Sequence, residues 1–142
     1  MRIWKNPTNI DFINAISDNT MASFMEIEVT EVGDDYIKAK MPVTAKTAQP
    51  YRYLHGGASV ALAETLGSIA SALCVDHTAF ICLGQEINAN HIRSAKEGQT
   101  VWATATPLHI GKSSHVWDIK ITDEAEKLVC VSRLTVVVIP RK

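Results

Sequence analysis

Gly57-Ala58-Ser59-Val60-Ala61-Leu62-Ala63-Glu64-Thr65-Leu66-Gly67-Ser68-Ile69-Ala70-Ser71-Ala72-Leu73-Cys74 is the stretch on which the fold turns. It is rich in alanine and leucine and holds no proline, which favours a helix. Leu62, Leu66, Ile69 and Leu73 stand at offsets 0, 4, 7 and 11, one continuous apolar stripe. The spacing predicts a single long helix, about 27 Å from end to end. No other segment has this pattern.

Everything outward from it reads differently. Pro42 to Leu54 has neither helical nor strand period and carries Pro42 and Pro50, so it reads as a loop. Further back, Ile37, Ala39 and Met41 alternate with Tyr36, Lys38 and Lys40. Met25, Ile27 and Val29 alternate with Glu26, Glu28 and Thr30. These are two half-buried strands joined at Gly33-Asp34, a hairpin. A short first helix is expected after a Thr8 cap, with Ile10, Ile13 and Ile16 as its apolar face. On the far side, strands are expected over about 80–94, 100–109, 114–123 and 128–139. Glu97-Gly98, Gly111-Lys112 and Asp123-Glu124-Ala125-Glu126 are the turn cues between them.

Short connections between successive strands favour an antiparallel sheet, and one helix with a full apolar stripe must pack on it. The expected fold is α+β, six antiparallel strands around one long central helix, a single domain over residues 1–142. The last strand is apolar on both faces. Leu128, Cys130, Leu134, Val136 and Val138 fall on one, and Val129, Val131, Val137 and Ile139 on the other. In so small a domain this points to a second subunit over one side.

Composition excludes several functions. The chain has 142 residues, 14 Lys+Arg against 15 Asp+Glu, and 46% apolar residues. A net charge of −1 with no basic run argues against a binder of nucleic-acid phosphates. No uninterrupted apolar run suggests a membrane span, and Met1-Arg2-Ile3-Trp4-Lys5-Asn6-Pro7 lacks the core of a signal peptide, so the expected compartment is the cytoplasm. Cys74, Cys82 and Cys130 form no C-x-x-C pair and read as reduced, mostly buried thiols. His55, His77, His91, His109 and His115 show no metal-ligand spacing, so no metal is expected. There is no G-x-S-x-G, P-loop or dinucleotide fingerprint.

Three places remain for chemistry. His55-Gly56-Gly57 leads into the long helix, where the first N–H groups are unpartnered and sit at the positive end of the dipole. They would hold an oxyanion, or the triplet is simply a tight turn into the helix; the residues alone leave both readings open. Glu64 is the only charge on its helix, pointing nearly opposite the leucine stripe on a face with Val60, Ser68 and Ser71. A solvated face normally carries several charges, so a solitary carboxylate among small residues is a candidate base or nucleophile. The third place is a polar strand end. Alternation puts Gly84, Glu86, Asn88 and Asn90 on one face of the strand from Phe80. Ile81, Leu83, Ile87, Ala89, His91 and Arg93 fall on the other. His91, Arg93 and Ser94 would suit a phosphate or simply face solvent, and Lys112, Ser113, Ser114 and His115 form a similar turn.

Taken together, Gln49 to Tyr53, His55-Gly56-Gly57 with Glu64 seven residues on, Gly67-Ser68, Gly84-Gln85-Glu86-Ile87-Asn88-Ala89-Asn90-His91 and Val116-Trp117-Asp118-Ile119 resemble the hotdog-fold acyl-CoA thioesterases over nearly the whole chain. The resemblance implies hydrolysis of an aromatic acyl-CoA, such as 1,4-dihydroxy-2-naphthoyl-CoA. It also implies a homodimer with active sites at the subunit seam, paired into a tetramer. An alternative within the same fold is a proofreading enzyme for a misacylated aryl carrier protein; a non-catalytic acyl-CoA binding module is the third reading. By the resemblance, Glu64 would be the catalytic carboxylate, as nucleophile or as base for water. Gly56 would donate its N–H to the thioester oxygen, His55 would orient that carbonyl, Gln49 would place water or the reacting group, and Ser68 would assist water or thiolate departure. His91, Arg93 and Ser94 would lie along the CoA arm, with Lys112, Ser113 and Ser114 as further phosphate contacts. CoA belongs to the substrate, and no cofactor is implied. Two stretches depart from the family pattern: Gly111-Lys112-Ser113-Ser114-His115 stands where Gly-Ser-Arg or Gly-Arg is expected, and Tyr51-Arg52-Tyr53 where Pro-Phe-Gly is expected beside the acyl pocket.

Overall fold

A computed structural model describes residues 1–142. Its elements in chain order are α1 (Ile10–Ala15), α2 (Met21–Phe24), β1 (Glu28–Val32), β2 (Ile37–Pro42), α3 (Gly56–Cys74), β3 (Phe80–His91), β4 (Thr100–Ile110), β5 (Ser114–Thr122) and β6 (Leu128–Pro140). The six strands form one antiparallel sheet in the order β1-β2-β4-β5-β6-β3. The long helix lies against one face of that sheet, as the leucine stripe requires. The expected α+β hotdog architecture is the one observed.

Packing explains why this arrangement is stable. Leu62, Leu66 and Ala70 of α3 are wholly buried with Ile37, Met41, Val101, Ile119, Leu134 and Val136 of the sheet, in one core cluster. Trp117 is the largest buried side chain; its indole N–H donates to Ser71 Oγ at 2.8 Å, so the polar edge of a large apolar group is satisfied inside the core. Trp4 stacks on Trp117 with ring centroids 6.3 Å apart. The N-terminal segment also closes the end of α3. Lys5 and Asn6 N–H groups donate to Leu73 O, and Asn6 Nδ2 donates to Ala72 O and Val75 O, covering carbonyls that a helix end leaves open. By length and composition α3 matches a membrane span, although Glu64 and small polar residues interrupt its apolar run; 56% of that span is buried in the chain's own core.

Several local expectations need correction. The α1 cap is Asn9, whose side chain accepts from Phe12 N–H, not Thr8. Ile16 lies past the end of that helix and is 62% exposed, so it is no part of a core face. A short helix, α2, occupies residues assigned to no element, and it delays β1 to Glu28. Ser71 is fully buried, on the core side rather than beside Glu64, and Ile69 is only half-buried. The apolar side of α3 is wider than one leucine row, because Ala63, Gly67 and Ala70 let the sheet approach closely.

The largest correction concerns β3. Gly84 pairs with Val136 and Glu86 with Thr135, so Gln85 is an extra residue, a β-bulge. Simple alternation fails across it. Cys82 and Gly84 before the bulge share the helix-facing side with Ile87, Ala89 and His91 after it, while Ile81, Leu83, Glu86, Asn88 and Asn90 face outward. β3 is also the free edge of the sheet, and it is long for an edge strand. The outward apolar residues of β6, Val137 and Ile139, are half-buried beside Leu83 and Ile81 of β3.

Candidate active site

The turn from loop to α3 is built by hydrogen bonds to neighbouring segments. His55 N–H donates to Thr47 O and Leu54 N–H to Ala95 O. His55 caps the helix: its Nδ1 accepts from Gly57 N–H at 2.8 Å. An accepting Nδ1 carries no proton, so the neutral ring has its proton on Nε2 and presents a donor there. Gly56 N–H makes no hydrogen bond within the chain. A helix N-terminus thus offers a free backbone donor at Gly56, and the capping residue before it carries an imidazole N–H, both donor types that an oxyanion can take. A side chain at position 56 would lie 2.8 Å from His91 Nε2, so glycine is also what lets the β3 end close over this turn.

Five sequence-selected residues meet at that point. Gln49, Gly56, His91, Arg93 and Ser94 line one cavity of about 290 Å³. Gln49 is held by its backbone N–H to Tyr53 O and by its side-chain Oε1, which accepts from Tyr51 N–H, leaving the Nε2 amide group free to donate. Arg93 Nη1 donates to Leu128 O at 3.1 Å, which ties the cationic strand end to β6.

Glu64 and Ser68 lie elsewhere. They line a second hollow of about 440 Å³ with Ile16, Met21, Thr65 and Ile69, residues of the open side of α3 and of the α1–α2 region. The Glu64 carboxylate makes no ion pair and no side-chain hydrogen bond. Its carboxylate rests over Gly84 of β3. Gly56 and Glu64 are eight residues apart on one helix, a rise of about 12 Å. A reacting carbonyl needs its nucleophile and its oxyanion donors both within about 3 Å. One chain therefore does not bring Gly56 and Glu64 to a single reacting atom.

Lys112, Ser113 and Ser114 are remote from His91, Arg93 and Ser94 within the chain. Lys112 lines a hollow of about 560 Å³ with Cys74, Val75 and His115, at the far end of α3. Ser113 and Ser114 carbonyls accept from Val138 and Gly111 N–H groups in the β4–β5 turn. His115, singled out with them, is 1% exposed and its Nδ1 is unpartnered. Burial lowers its pKa from the ordinary imidazole value, against a backbone hydrogen bond to Gly111 that raises it. All three cysteines are unpaired, and burial pushes the Cys74 thiol up to about 12, far from thiolate reactivity.

The departing loop has its own anchor. Arg52 has left-handed backbone at φ 65°. Its guanidinium forms two 2.7 Å hydrogen bonds with the Glu97 carboxylate, and Glu97 N–H donates back to Arg52 O. Residues after Gln49 are thereby tied to the segment before β4. Sequence reading flagged Arg52 only as a departure and did not pair it with Glu97; nothing local connects positions so far apart.

A sheet folded on one long helix, with an anion-ready turn at the helix start and an isolated carboxylate further along it, defines the class of hotdog thioesterases. The Thioesterase superfamily profile matches residues 51–130, and the chain belongs to that superfamily of thioester hydrolases. It is 45% identical over 137 residues to the 1,4-dihydroxy-2-naphthoyl-CoA hydrolase of Escherichia coli (strain K12), covering 96% of this chain and 99% of that one. It is 44% identical over 136 residues to the proofreading thioesterase of Cronobacter turicensis, covering 96% and 98%. A crystal structure of a mutant thioesterase from Pseudomonas aeruginosa superposes with a TM-score of 0.95 at 40% identity, over 98% of this chain and 99% of that one.

Proposed function

We propose that this chain hydrolyses an aromatic acyl-CoA, such as 1,4-dihydroxy-2-naphthoyl-CoA, to the free acid and CoA, with Glu64 as the catalytic carboxylate. The observation that carries the reading is the free Gly56 N–H at the start of a helix whose one charge is Glu64, a carboxylate with no side-chain partner, with His55 as the helix cap immediately before it. The thioester oxygen accepts from Gly56 N–H and His55 Nε2–H, which stabilise it as negative charge develops. Glu64 then either takes a proton from the water that attacks the carbonyl carbon, or attacks that carbon itself to form an acyl–Glu64 anhydride that water hydrolyses once CoA has left; Gln49 Nε2 and Ser68 Oγ steady that water. CoA leaves as thiolate and is protonated to the thiol. The chemistry calls for no metal or redox cofactor.

The reading places two copies in the working unit. The 12 Å between Gly56 and Glu64 is closed if Glu64 of one copy faces Gly56 of the other across a two-fold axis, about as far as eight helical residues rise. The free β3 edge, with Leu83 50% exposed, offers the surface for antiparallel self-pairing. A tetramer would follow from pairing such dimers. Unpaired thiols suit a cytoplasmic setting.

A second reading is favoured by the 44%-identical relative named a proofreading thioesterase: the acyl group would arrive on an aryl carrier protein. One experiment separates these. Thiol release is followed on a panel of aromatic and aliphatic acyl-CoAs and on the same acyl groups carried by a carrier domain. The CoA reading expects higher kcat/KM on aromatic CoA thioesters, and loss of at least about 100-fold in kcat for Glu64→Ala. Carrier preference reverses the ranking, and undiminished turnover by Glu64→Ala removes the mechanism.

A further inference from the structure

We infer that Gly84 is a positioning residue for the reaction: by lacking a side chain it forms the slot in which the Glu64 carboxylate rests. This rests on the reading of Glu64 as the catalytic carboxylate. A Cβ built on Gly84 would overlap Glu64 Oε1 and lie 3.2 Å from Cδ and 3.7 Å from Cγ; its three nearest neighbours all belong to the end of the Glu64 side chain. The first group an added methyl meets is therefore the carboxylate.

The strand is shaped to deliver this glycine. Without the bulge at Gln85, alternation would set Gly84 on the outer face with Glu86, Asn88 and Asn90 if the rest of the strand kept its register. With it, Gly84 and His91 are both on the helix side. The same strand thus touches both halves of the apparatus, Gly84 against Glu64 and His91 against Gly56. Bulges re-aim residues in this way beside functional sites.

The consequence for Gly84→Ala is specific. The group in the way is the far end of a flexible, half-buried side chain, so the fold yields cheaply and the carboxylate is evicted. Stability is spared while catalysis is not. Displacing a reacting group by about 1 Å costs on the order of 100-fold in rate. Gly84→Ala should lower kcat by about that factor, leave KM within about threefold of wild type, and leave the melting temperature unchanged, because binding groups stay in place.

Four proteins test this: Gly84→Ala, Glu64→Asp, the two together, and Glu64→Ala. Aspartate puts its carboxyl carbon at the 3.7 Å position of Glu64 Cγ and an oxygen near the 3.2 Å position of Cδ, so the overlap that a Gly84 methyl makes with Glu64 Oε1 shrinks to a tight contact. In the Glu64→Asp background Gly84→Ala should then cost less than about threefold, a non-additivity that a strand-stability role does not produce. Wild-type kcat in Gly84→Ala, with Glu64→Ala inactive, overturns the inference and leaves the Glu64 reading standing. Turnover by Glu64→Ala overturns both. If Gly84→Ala proves poorly folded, its melting temperature is compared with and without Glu64→Ala; recovery on removal of the carboxylate supports the slot, and an equal loss in both backgrounds overturns it.

Discussion

Mixing two inactive variants should restore activity. The perturbation is a pair of proteins, one carrying Glu64→Ala and the other His55→Ala, each expected to have lost turnover. Eight residues of α3 separate Gly56 from Glu64, a rise of about 12 Å, against the roughly 3 Å that chemistry at one carbonyl allows. If each site takes Glu64 from one copy and His55 with Gly56 from the other, a mixed dimer holds one doubly damaged site and one intact site. Random assortment makes about half of all dimers mixed, so about a quarter of wild-type turnover should return. The assay is thiol release from an aromatic acyl-CoA after the variants, carrying different affinity tags, are co-expressed or unfolded and refolded together. Purification through both tags isolates mixed dimers, and their turnover should rise to about half of wild type. Doubly purified dimers no more active than either parent would refute the shared site, because each chain would then have to build a site from its own residues.

Other consequences reach the fold and its pH response. Ser71→Ala removes the partner of the buried Trp117 N–H and should destabilise by about 1–3 kcal/mol, read from urea unfolding. His115 is buried neutral with a lowered pKa, so above the unfolded value near 6.5 it is uncharged in both states. As pH falls below that value the unfolded chain takes up a proton that the folded chain resists, and stability drops until the folded pKa is reached. His115→Leu should therefore lose less melting temperature than wild type between pH 7.5 and pH 5.5, to be read by thermal scans, where these pH values are about one unit either side of an ordinary histidine. An equal loss in both proteins would place the acid sensitivity elsewhere. Arg52→Gly and Arg52→Val both lose the Glu97 pair, and because glycine keeps access to the left-handed backbone, Arg52→Val should melt lower than Arg52→Gly in thermal scans. Glu97→Gln frees the guanidinium and should raise the rate of proteolysis in the loop after Gln49, checked by limited digestion.

Much of the fold was legible because hydrophobic period is a local property. The leucines of α3 and the alternation in β2 and β5 each report burial of a neighbouring face, and the observed spans agree to within a residue or two. Glu64 was legible for the same reason: a lone charge stands out against small residues. The failures were of two kinds, competition between near neighbours at a helix end and partners that lie far along the chain. Asn9 outcompeted Thr8 because its side chain reached Phe12 N–H. Ser71 looked solvent-facing until Trp117 supplied its partner from β5. Ile16 looked like core until the helix ended before it.

Residues alone thus determined that one helix organises the sheet and that a single carboxylate lies along it, and they left open whether its N-terminus takes an anion or only makes a tight turn. Tertiary structure decided which residues face that carboxylate. The bulge at Gln85 reverses the facing of β3, which no count of alternating residues registers, because the extra residue is defined only by its pairing with β6. It also decided that the sequence-selected residues divide among three hollows, Lys112 in one, with Gly56 and Glu64 kept apart in the other two. Spacing along a rigid helix sets that division, and no rearrangement of side chains in one copy removes it.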